Sequence, residues 1–230
     1  MIGIFDSGVG GFNSLKPLRY EFPFLDIVYL ADRKNAPYGT KTEEEILRFA
    51  CQNIKRLTDM GASAVLIACC TASTLWNKLP EKWRNISLPI ITPTVKTLVE
   101  KEEKVLIIAT ERTVRSQCFK KEIAGRLPNA KVTEVAMQSL VSAVERGVKN
   151  KNLEEETKLE MQELLRLAMI YEPDTLVLGC THFSSVENII KGLMPNVKII
   201  NPAKIGALAI ADYIRLQGMR TLENGRIIYT

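Results

Sequence analysis

Histidine is nearly absent from this sequence, since His182 is the only one in 230 residues. A zinc site built from several histidines is therefore excluded, and no C-x-x-C pair offers a sulfur alternative. The five cysteines are odd in number, which does not favour a framework of disulfide bonds. If these thiols have a chemical task, the sequence predicts that they perform it without a metal.

Long apolar runs are also absent. No stretch of about 18 apolar residues exists, so we expect no membrane-spanning segment. The first residues, MIGIFDSGVGG, lack the basic start and apolar segment of a secretory signal, so we expect a cytoplasmic protein. The 31 Lys and Arg residues alternate with acidic ones, as between Lys149 and Arg166, and form no basic stripe. This pattern favours a solvated surface over nucleic-acid binding, and the formal charge of +5 suits an acidic small molecule.

Short apolar runs rich in β-branched residues recur along the chain. Helical periodicity fills most gaps between them, as in Glu43–Met60, Glu156–Tyr171 and Ser185–Met194. Strands that alternate with helices in this way indicate an α/β fold with mainly parallel sheets. The predicted strands are Ile2–Phe5, Ile27–Leu30, Ala64–Ala68, Pro89–Ile91, Val105–Ala109, Val132–Val135, Thr175–Leu178 and Val197–Ile200.

Two parts of the sequence resemble each other. An apolar strand, a small residue, cysteine and threonine follow one another in Val65–Thr71 and again in Leu176–Thr181. A similar offset separates Ile2–Asp6 from Val105–Thr110. The similarity indicates two related α/β lobes.

We expect residues 1–92 and 202–230 to form the first lobe and residues 93–201 to form the second. No linker rich in Gly, Ser or Pro separates the two parts. The lobes should therefore pack closely, with the active site in the cleft between them.

Polar residues follow the ends of several predicted strands. In open α/β sheets, the ligand crevice lies outside the carboxyl ends of the strands. We therefore expect these residues to converge, although they are scattered along the chain. They are Asp6, Ser7, Asp32, Cys69, Cys70, Thr71, Thr110, Cys180, Thr181 and His182.

Cys69 and Cys180 occupy similar places, each after an apolar strand. The residues after Cys69 predict a helix N-terminus, where backbone N–H groups and the helix dipole lower the pKa of a thiol. Cys180 has the same context, and His182 two positions later could be its proton partner. A buried free cysteine can also be a simple packing residue, which is how we interpret Cys51 and Cys118 within their helical patterns.

Three glycines follow the first strand, in the run Gly8–Gly11. They allow either a tight strand-to-helix turn or an anion-binding turn at a helix start. Asn13 occupies the third glycine position of the dinucleotide-binding pattern, and the Gly-Lys-Ser/Thr of a phosphate-binding loop is missing. Nucleotide binding is therefore not supported.

A loop of turn-forming residues follows the second predicted strand, between Asp32 and Gly39. It is either an ordinary connection or a loop that closes over a substrate. In the second case, Tyr38 and Gly39 offer hydroxyl and backbone contacts.

Two equivalent thiols that face one cleft match a specific chemical task. Inversion of a carbon centre by proton transfer requires a base on one face and an acid on the opposite face. Cysteine suits this task because its pKa lies near neutrality, so one thiol can start as thiolate while the other starts protonated.

The chain resembles the glutamate racemase family over nearly its whole length. The resemblance rests on IGIFDSGVGG, the loop with Pro37-Tyr38-Gly39, IACCTAS, LGCTHF and the IIATERTVRS stretch from Ile107, in this order. It implies two α/β lobes and a cofactor-independent enzyme that interconverts L- and D-glutamate. The D-glutamate would supply bacterial peptidoglycan.

The resemblance also implies roles for individual residues. Cys69 would exchange a proton with the D-enantiomer and Cys180 with the L-enantiomer, with Asp6 and His182 as their helpers. Glu145 would be a supporting acid behind them. The substrate-binding residues would be Asp6, Ser7, Tyr38, Gly39, Cys70, Thr71, Thr181 and His182.

This sequence departs from the family pattern at three places. Cys70 stands where asparagine usually follows the first cysteine, and because a thiol forms weak hydrogen bonds we expect looser substrate binding. Ser184 stands where proline is common, and Asn201-Pro202 stands where the family often shows Asp-Ser-Gly.

Other functions remain open at this point. A racemase of aspartate or another acidic amino acid is the nearest alternative, although His182 favours glutamate because aspartate racemases usually carry an acid there. A non-catalytic two-lobed binding protein would fit if Cys70 has spoiled the site. A thiol hydrolase using Cys180 and His182 would leave Cys69 without a role. Whether the chain forms a homodimer is open as well.

Overall fold

The computed structural model describes residues 1–99, 104–149, 159, 162–163, 166, 169–218 and 225–230, and for residues 145–149 it describes the backbone alone. The predicted helix Glu156–Tyr171 and the charged stretch from Lys149 to Arg166 therefore lie largely outside the described residues.

The strands of the described residues form two parallel sheets. The first sheet has the order β4-β3-β1-β2-β9 and the second has the order β6-β5-β7-β8. The predicted α/β class with two similar, mainly parallel sheets is confirmed. The strands are β1 (Ile2–Asp6), β2 (Ile27–Ala31), β3 (Ala64–Ile67), β4 (Ser87–Pro89), β5 (Lys104–Ala109), β6 (Lys131–Ala136), β7 (Thr175–Gly179), β8 (Lys198–Ile200) and β9 (Ile227–Tyr229).

Each apolar run predicted as a strand overlaps an observed one, with a shift at β4. That strand ends at Pro89, and Ile91 already begins a helix in which Pro93 lies in the first turn, where its missing N–H is tolerated. The sequence analysis missed β9, which pairs in parallel with β2 at the edge of the first sheet.

Helices connect the parallel strands and cover the sheets. The longest helix among the described residues begins after Thr42, whose side chain accepts a hydrogen bond from the Glu45 N–H, while the Glu45 carboxylate accepts one from the Thr42 N–H. No helix in the described parts of the chain is long and apolar enough to cross a membrane. The α-helices for which the structure gives bounds are α1 (Leu15–Glu21), α2 (Glu43–Asp59), α3 (Cys70–Ser73), α4 (Glu81–Arg84), α5 (Ile91–Lys96), α6 (Glu111–Ser116), α7 (Cys118–Arg126), α8 (Gln138–Lys149), α9 (Glu187–Leu193) and α10 (Pro202–Leu216).

Side chains of one strand alternate between two apolar cores. In β1, Ile4 packs into a central core shared by both sheets, whereas Phe5 packs into an outer core with α2. In β5, Ile107 joins the central core and Ile108 joins a third core with α8 and α9. Because the central core is continuous across both sheets, the lobes pack closely, as expected from the missing linker.

Helix α10 begins directly after β8 of the second sheet and packs on the first. It contacts α1, α5 and β3, and its residue Gly206 lies against Ile90. A Cβ atom at Gly206 would lie 2.7 Å from Ile90 Cγ1, which is closer than packed carbon atoms come. This helix therefore ties the end of the second sheet to the first.

We predict that Gly206→Ala lowers the free energy of unfolding by about 1–3 kcal/mol, because the added methyl group overpacks the contact with Ile90. Gly192→Ala in α9 is the matched control, since a Cβ there meets nothing within 4 Å. The control should leave the free energy of unfolding unchanged or slightly raised. Urea unfolding of both variants tests this, and an equal effect of the two would contradict the tight contact at Gly206.

Candidate active site

Asp6 lies at the carboxyl end of β1 and is fully buried. Its Oδ1 accepts a hydrogen bond from the Gly8 N–H at 2.9 Å, and its Oδ2 accepts one from the Thr181 hydroxyl at 3.0 Å. Thr181 follows β7 of the second sheet. The Asp6–Thr181 bond therefore joins the two lobes where the carboxyl ends of their strands meet.

The two loops can approach this closely because Gly10 has no side chain. A Cβ atom there would lie 2.4 Å from Thr181 Oγ1 and 2.7 Å from the backbone nitrogen of His182. Of the two uses considered for the glycine run, the structure therefore supports a tight turn, here one that also permits contact between the lobes.

Cys69 caps the N-terminus of α3 directly after β3. Its Sγ lies 3.4 Å from Ser7 Oγ and accepts a hydrogen bond from the Ala72 N–H at 3.5 Å. Ser7, Thr71 and Cys69 are all buried. The predicted position of Cys69 at a helix start is thus observed.

Burial raises the pKa of the Cys69 thiol to about 12, and the negative charges of Asp6 and Cys180 act in the same direction. The hydrogen bond with the Ser7 hydroxyl and the one from the Ala72 N–H lower this pKa but do not outweigh burial. The expectation of a lowered pKa at Cys69 is therefore wrong, because burial outweighs the effect of the helix N-terminus. With this pKa, Cys69 is a protonated thiol at neutral pH.

Cys180 follows β7 in the second sheet, as Cys69 follows β3 in the first. Its Sγ lies 3.6 Å from Nδ1 of His182, and both side chains are buried. A 3-10 helix, Thr181–Val186, follows Cys180 and leads directly into α9. We call residues 180–186 the Cys180 loop.

Cys70 is buried and belongs to the central apolar core. Burial raises the pKa of its thiol well above the usual value, and a negative charge on Cys180, Cys69 or Asp6 acts in the same direction. The side chain thus combines apolar packing with proximity to both candidate catalytic thiols. A direct contact with substrate stays a prediction.

Three threonine hydroxyls form a buried cluster that also spans the lobes. Thr71 Oγ1 lies 3.0 Å from Thr110 Oγ1 and 3.2 Å from Thr113 Oγ1, and Thr110 and Thr113 lie 2.9 Å apart. Thr110 was noted in the sequence as a strand-end residue without a role, and Thr113 was missed. The T-x-x-T pattern at the start of α6 is the signal that could have identified both.

Tyr38 is buried in the loop that follows β2. Its hydroxyl donates to Asp32 Oδ2 at 2.5 Å and accepts a hydrogen bond from Asn53 Nδ2 at 3.0 Å. Burial raises the pKa of Tyr38 above its usual value, as does the hydrogen bond to Asp32. The hydroxyl therefore holds the loop to α2, and its predicted contact with substrate stays a prediction.

Gly39 lies against Thr110 and Gln138 of the second lobe, so this loop reaches the cleft.

Glu145 belongs to α8, but its side chain lies outside the described residues. Cys51 and Cys118 lie on α2 and at the start of α7, where each packs beside an apolar core. Within the described ranges, no three His, Cys, Asp or Glu side chains are close enough to hold a metal ion.

Comparison with known proteins places this arrangement in a family. The family model described as Asp/Glu/Hydantoin racemase matches residues 22–210. A glutamate racemase of Thermoanaerobacter sp. (strain X514) is 36% identical over 93% of this chain and 80% of its own length. A glutamate racemase of Roseobacter denitrificans is 33% identical over 95% of this chain and 87% of its own length.

The fold is similar to solved structures of the same kind. The crystal structure of glutamate racemase from Francisella tularensis in complex with D-glutamate superposes with a TM-score of 0.88 at 30% identity. The match covers 99% of this chain and 86% of the other.

We predict that Asp6→Asn shifts the pH profile of Cys69 alkylation by iodoacetamide to lower pH. The Asp6 charge disfavours the Cys69 thiolate, so its removal lowers the pKa of the thiol, while the asparagine oxygen can still accept a hydrogen bond. Mass spectrometry of the alkylated peptides measures the profile. Cys51 is the internal control, because its pKa is raised by burial without a contribution from Asp6. An unshifted profile at Cys69 would show that Asp6 does not act on this thiol.

Proposed function

This chain belongs to the Asp/Glu/hydantoin racemase family, and on that basis we propose that it interconverts L- and D-glutamate by a two-thiol proton transfer without a cofactor. It is an amino-acid racemase, and what is proposed is its substrate, its mechanism and its role. The observation that carries the mechanism is the equivalent location of Cys69 and Cys180, each after a strand of its own sheet and both beside the Asp6–Thr181 contact.

The reaction moves one proton off the α-carbon and another onto it. Starting from L-glutamate, the Cys180 thiolate removes the α-proton and leaves a planar carbanion. The Cys69 thiol then donates its proton to the opposite face, which produces D-glutamate. The enzyme is left with Cys180 protonated and Cys69 ionised, which is the form that reacts with D-glutamate in the reverse direction.

The raised pKa of Cys69 supports this assignment. Since burial and Asp6 raise its pKa to about 12, Cys69 is protonated and can serve as the acid that the conversion of L-glutamate requires. For the reverse reaction, the α-ammonium group of D-glutamate would offset the charge of Asp6 and make the Cys69 thiolate accessible.

The polar groups around the two thiols fit an amino acid. We propose that Asp6 and His182 assist Cys69 and Cys180, since Asp6 acts on the Cys69 thiol and the His182 ring lies 3.6 Å from Cys180 Sγ. Glu145 is proposed as a supporting acid. The proposed substrate contacts are Asp6, Ser7, Tyr38, Gly39, Cys70, Thr71, Thr181 and His182.

We propose that the D-glutamate produced serves peptidoglycan synthesis and that the enzyme acts in the cytoplasm. The homodimer that the sequence left open stays a prediction.

An optical rotation assay tests the reaction. We predict that the purified enzyme, dialysed against a chelator and without pyridoxal phosphate, abolishes the rotation of L-glutamate and equally that of D-glutamate. A parallel assay on L-aspartate tests the nearest alternative substrate. Activity that needed added metal or pyridoxal phosphate would contradict the mechanism, and faster racemisation of aspartate would contradict the substrate.

We predict that Cys69→Ser and Cys180→Ser each lower racemisation by about 10²–10⁴-fold, because a serine hydroxyl is far too weak an acid to exchange protons near neutral pH. Cys51→Ser and Cys118→Ser are the matched controls and should keep most of the activity. The initial rates from both enantiomers measure the effect. Turnover near the wild-type rate in either active-site variant would refute the two-thiol mechanism.

A further inference from the structure

Asn201 joins the Cys180 loop to the N-terminus of α10. Its Oδ1 accepts hydrogen bonds from the Ser184 hydroxyl at 2.9 Å and from the Ala203 N–H at 3.0 Å. Its Nδ2 donates to Glu187 Oε2 at 2.6 Å. Ser184 lies within the Cys180 loop, and Glu187 is the first residue of α9 directly after it.

The chemistry of its partners determines the orientation of the Asn201 amide. The Ala203 N–H can only donate, so the amide oxygen must face it, and the carboxylate of Glu187 then receives the NH₂ group. Asn201 and Glu187 are both buried. An aspartate at position 201 would keep the two bonds to its oxygen but would place a second negative charge beside Glu187.

Glu187 is ionised within this arrangement. Burial raises the pKa of its carboxyl, but the hydrogen bonds from Asn201, Lys204 and Lys191 outweigh this, so that the pKa lies below its usual value. Lys204 Nζ lies 3.0 Å and Lys191 Nζ 3.1 Å from the nearest Glu187 oxygen. The carboxylate is therefore a fixed negative anchor for the Asn201 amide.

The location of this network gives it a mechanical consequence. The Cys180 loop belongs to the second sheet, whereas α10 packs on the first, where Gly206 lies against Ile90. A bond from the loop to the start of α10 thus fixes the loop relative to the sheet that carries Cys69. Ser184 and Asn201 are also two of the positions at which this sequence departs from the glutamate racemase pattern.

We propose that Ser184, Asn201 and Glu187 form a positioning network that holds the Cys180 loop at the distance from the first lobe that proton transfer by Cys180 requires. The proposal rests on the proposed function, because it assumes that Cys180 and Cys69 act on opposite faces of one carbon. None of the three residues touches the reacting atoms in this assignment.

The two enantiomers of glutamate have equal free energies, so a variant must lower kcat/KM by the same factor in both directions. The identity of the slowed step appears instead in the isotope effects. When transfer at Cys180 is slowed, the isotope effect with α-deuterated L-glutamate rises, since Cys180 breaks that bond. The isotope effect with α-deuterated D-glutamate falls, because transfer at Cys69 becomes fast and reversible by comparison.

Four variants test the network. Asn201→Asp should lower kcat/KM by about 10- to 100-fold, and Ser184→Ala by a smaller factor, since small misplacements of reacting groups are costly. Adding Glu187→Gln to Asn201→Asp should restore part of the activity, because the glutamine NH₂ can donate to the new carboxylate. Ser87→Ala removes a hydroxyl at the start of β4 that donates to the Trp83 carbonyl and accepts from Trp76 Nε1, without contact with the network, and should leave kcat/KM unchanged.

The isotope effects separate positioning from general destabilisation. We expect the opposite changes described above in Ser184→Ala and Asn201→Asp, together with rescue in the double variant. Isotope effects that stay at the wild-type values, or a double variant worse than Asn201→Asp alone, would overturn the proposal.

Site-resolved alkylation by iodoacetamide provides a readout that does not require racemisation. In Asn201→Asp, the rate of alkylation at a fixed pH should change at Cys180, because the loop that carries it loses its fixed position, and should stay unchanged at Cys51. A rate unchanged at Cys180 would overturn the network. Failure of the wild-type enzyme to racemise glutamate would overturn the proposed function instead, and would be seen in the rotation assay alone.

Discussion

A hydrogen bond between Thr181 and the buried carboxylate of Asp6 connects the two halves of this protein at the carboxyl ends of their strands. It exists because parallel strands end at the same edge of each sheet, and residues that follow these ends contact each other across the two sheets. Cys69 follows a strand of the first sheet and Cys180 follows a strand of the second, so the contact brings their loops together. Gly10 permits the approach, since any side chain there would collide with Thr181. The approach of the two loops thus depends on the Asp6–Thr181 bond and on a glycine at position 10.

The same architecture explains why the cleft can keep its shape. Alternate residues of β1 and β5 enter a central core that belongs to both sheets, so the lobes cannot separate fully without exposing apolar surface. Helix α10 adds a covalent connection between the end of the second sheet and the face of the first. Apolar packing in the central core sets the distance between the two lobes, and polar contacts such as the Asp6–Thr181 bond then fix the loops at the carboxyl ends of the strands.

The sequence predicted the sheets well because buried parallel strands are continuous apolar runs, and these are visible without an alignment. It missed β9, whose three residues form a strand only because the edge of β2 is available to pair with them. Convergence of the strand-end residues was predictable, but individual hydrogen bonds were not. The bond between Ser184 and Asn201, for example, depends on the path of two loops that are distant in sequence. The predicted direction of the Cys69 pKa shift was wrong for a related reason. The local sequence indicates the backbone N–H groups that lower the pKa but not the depth of burial that raises it.

The burial of several thiols in one cleft has a consequence that suits two-thiol chemistry. A negative charge on Cys180 raises the pKa of Cys69, and charges on either of them raise the pKa of Cys70. Mutual repulsion in a poorly solvated site therefore disfavours any state with two thiolates. A pair that carries one negative charge consists of one acid and one base, which is the combination that inversion at a carbon centre requires. Repulsion between the two thiols excludes the doubly charged pair, and burial of Cys69 favours the state in which that thiol is the acid.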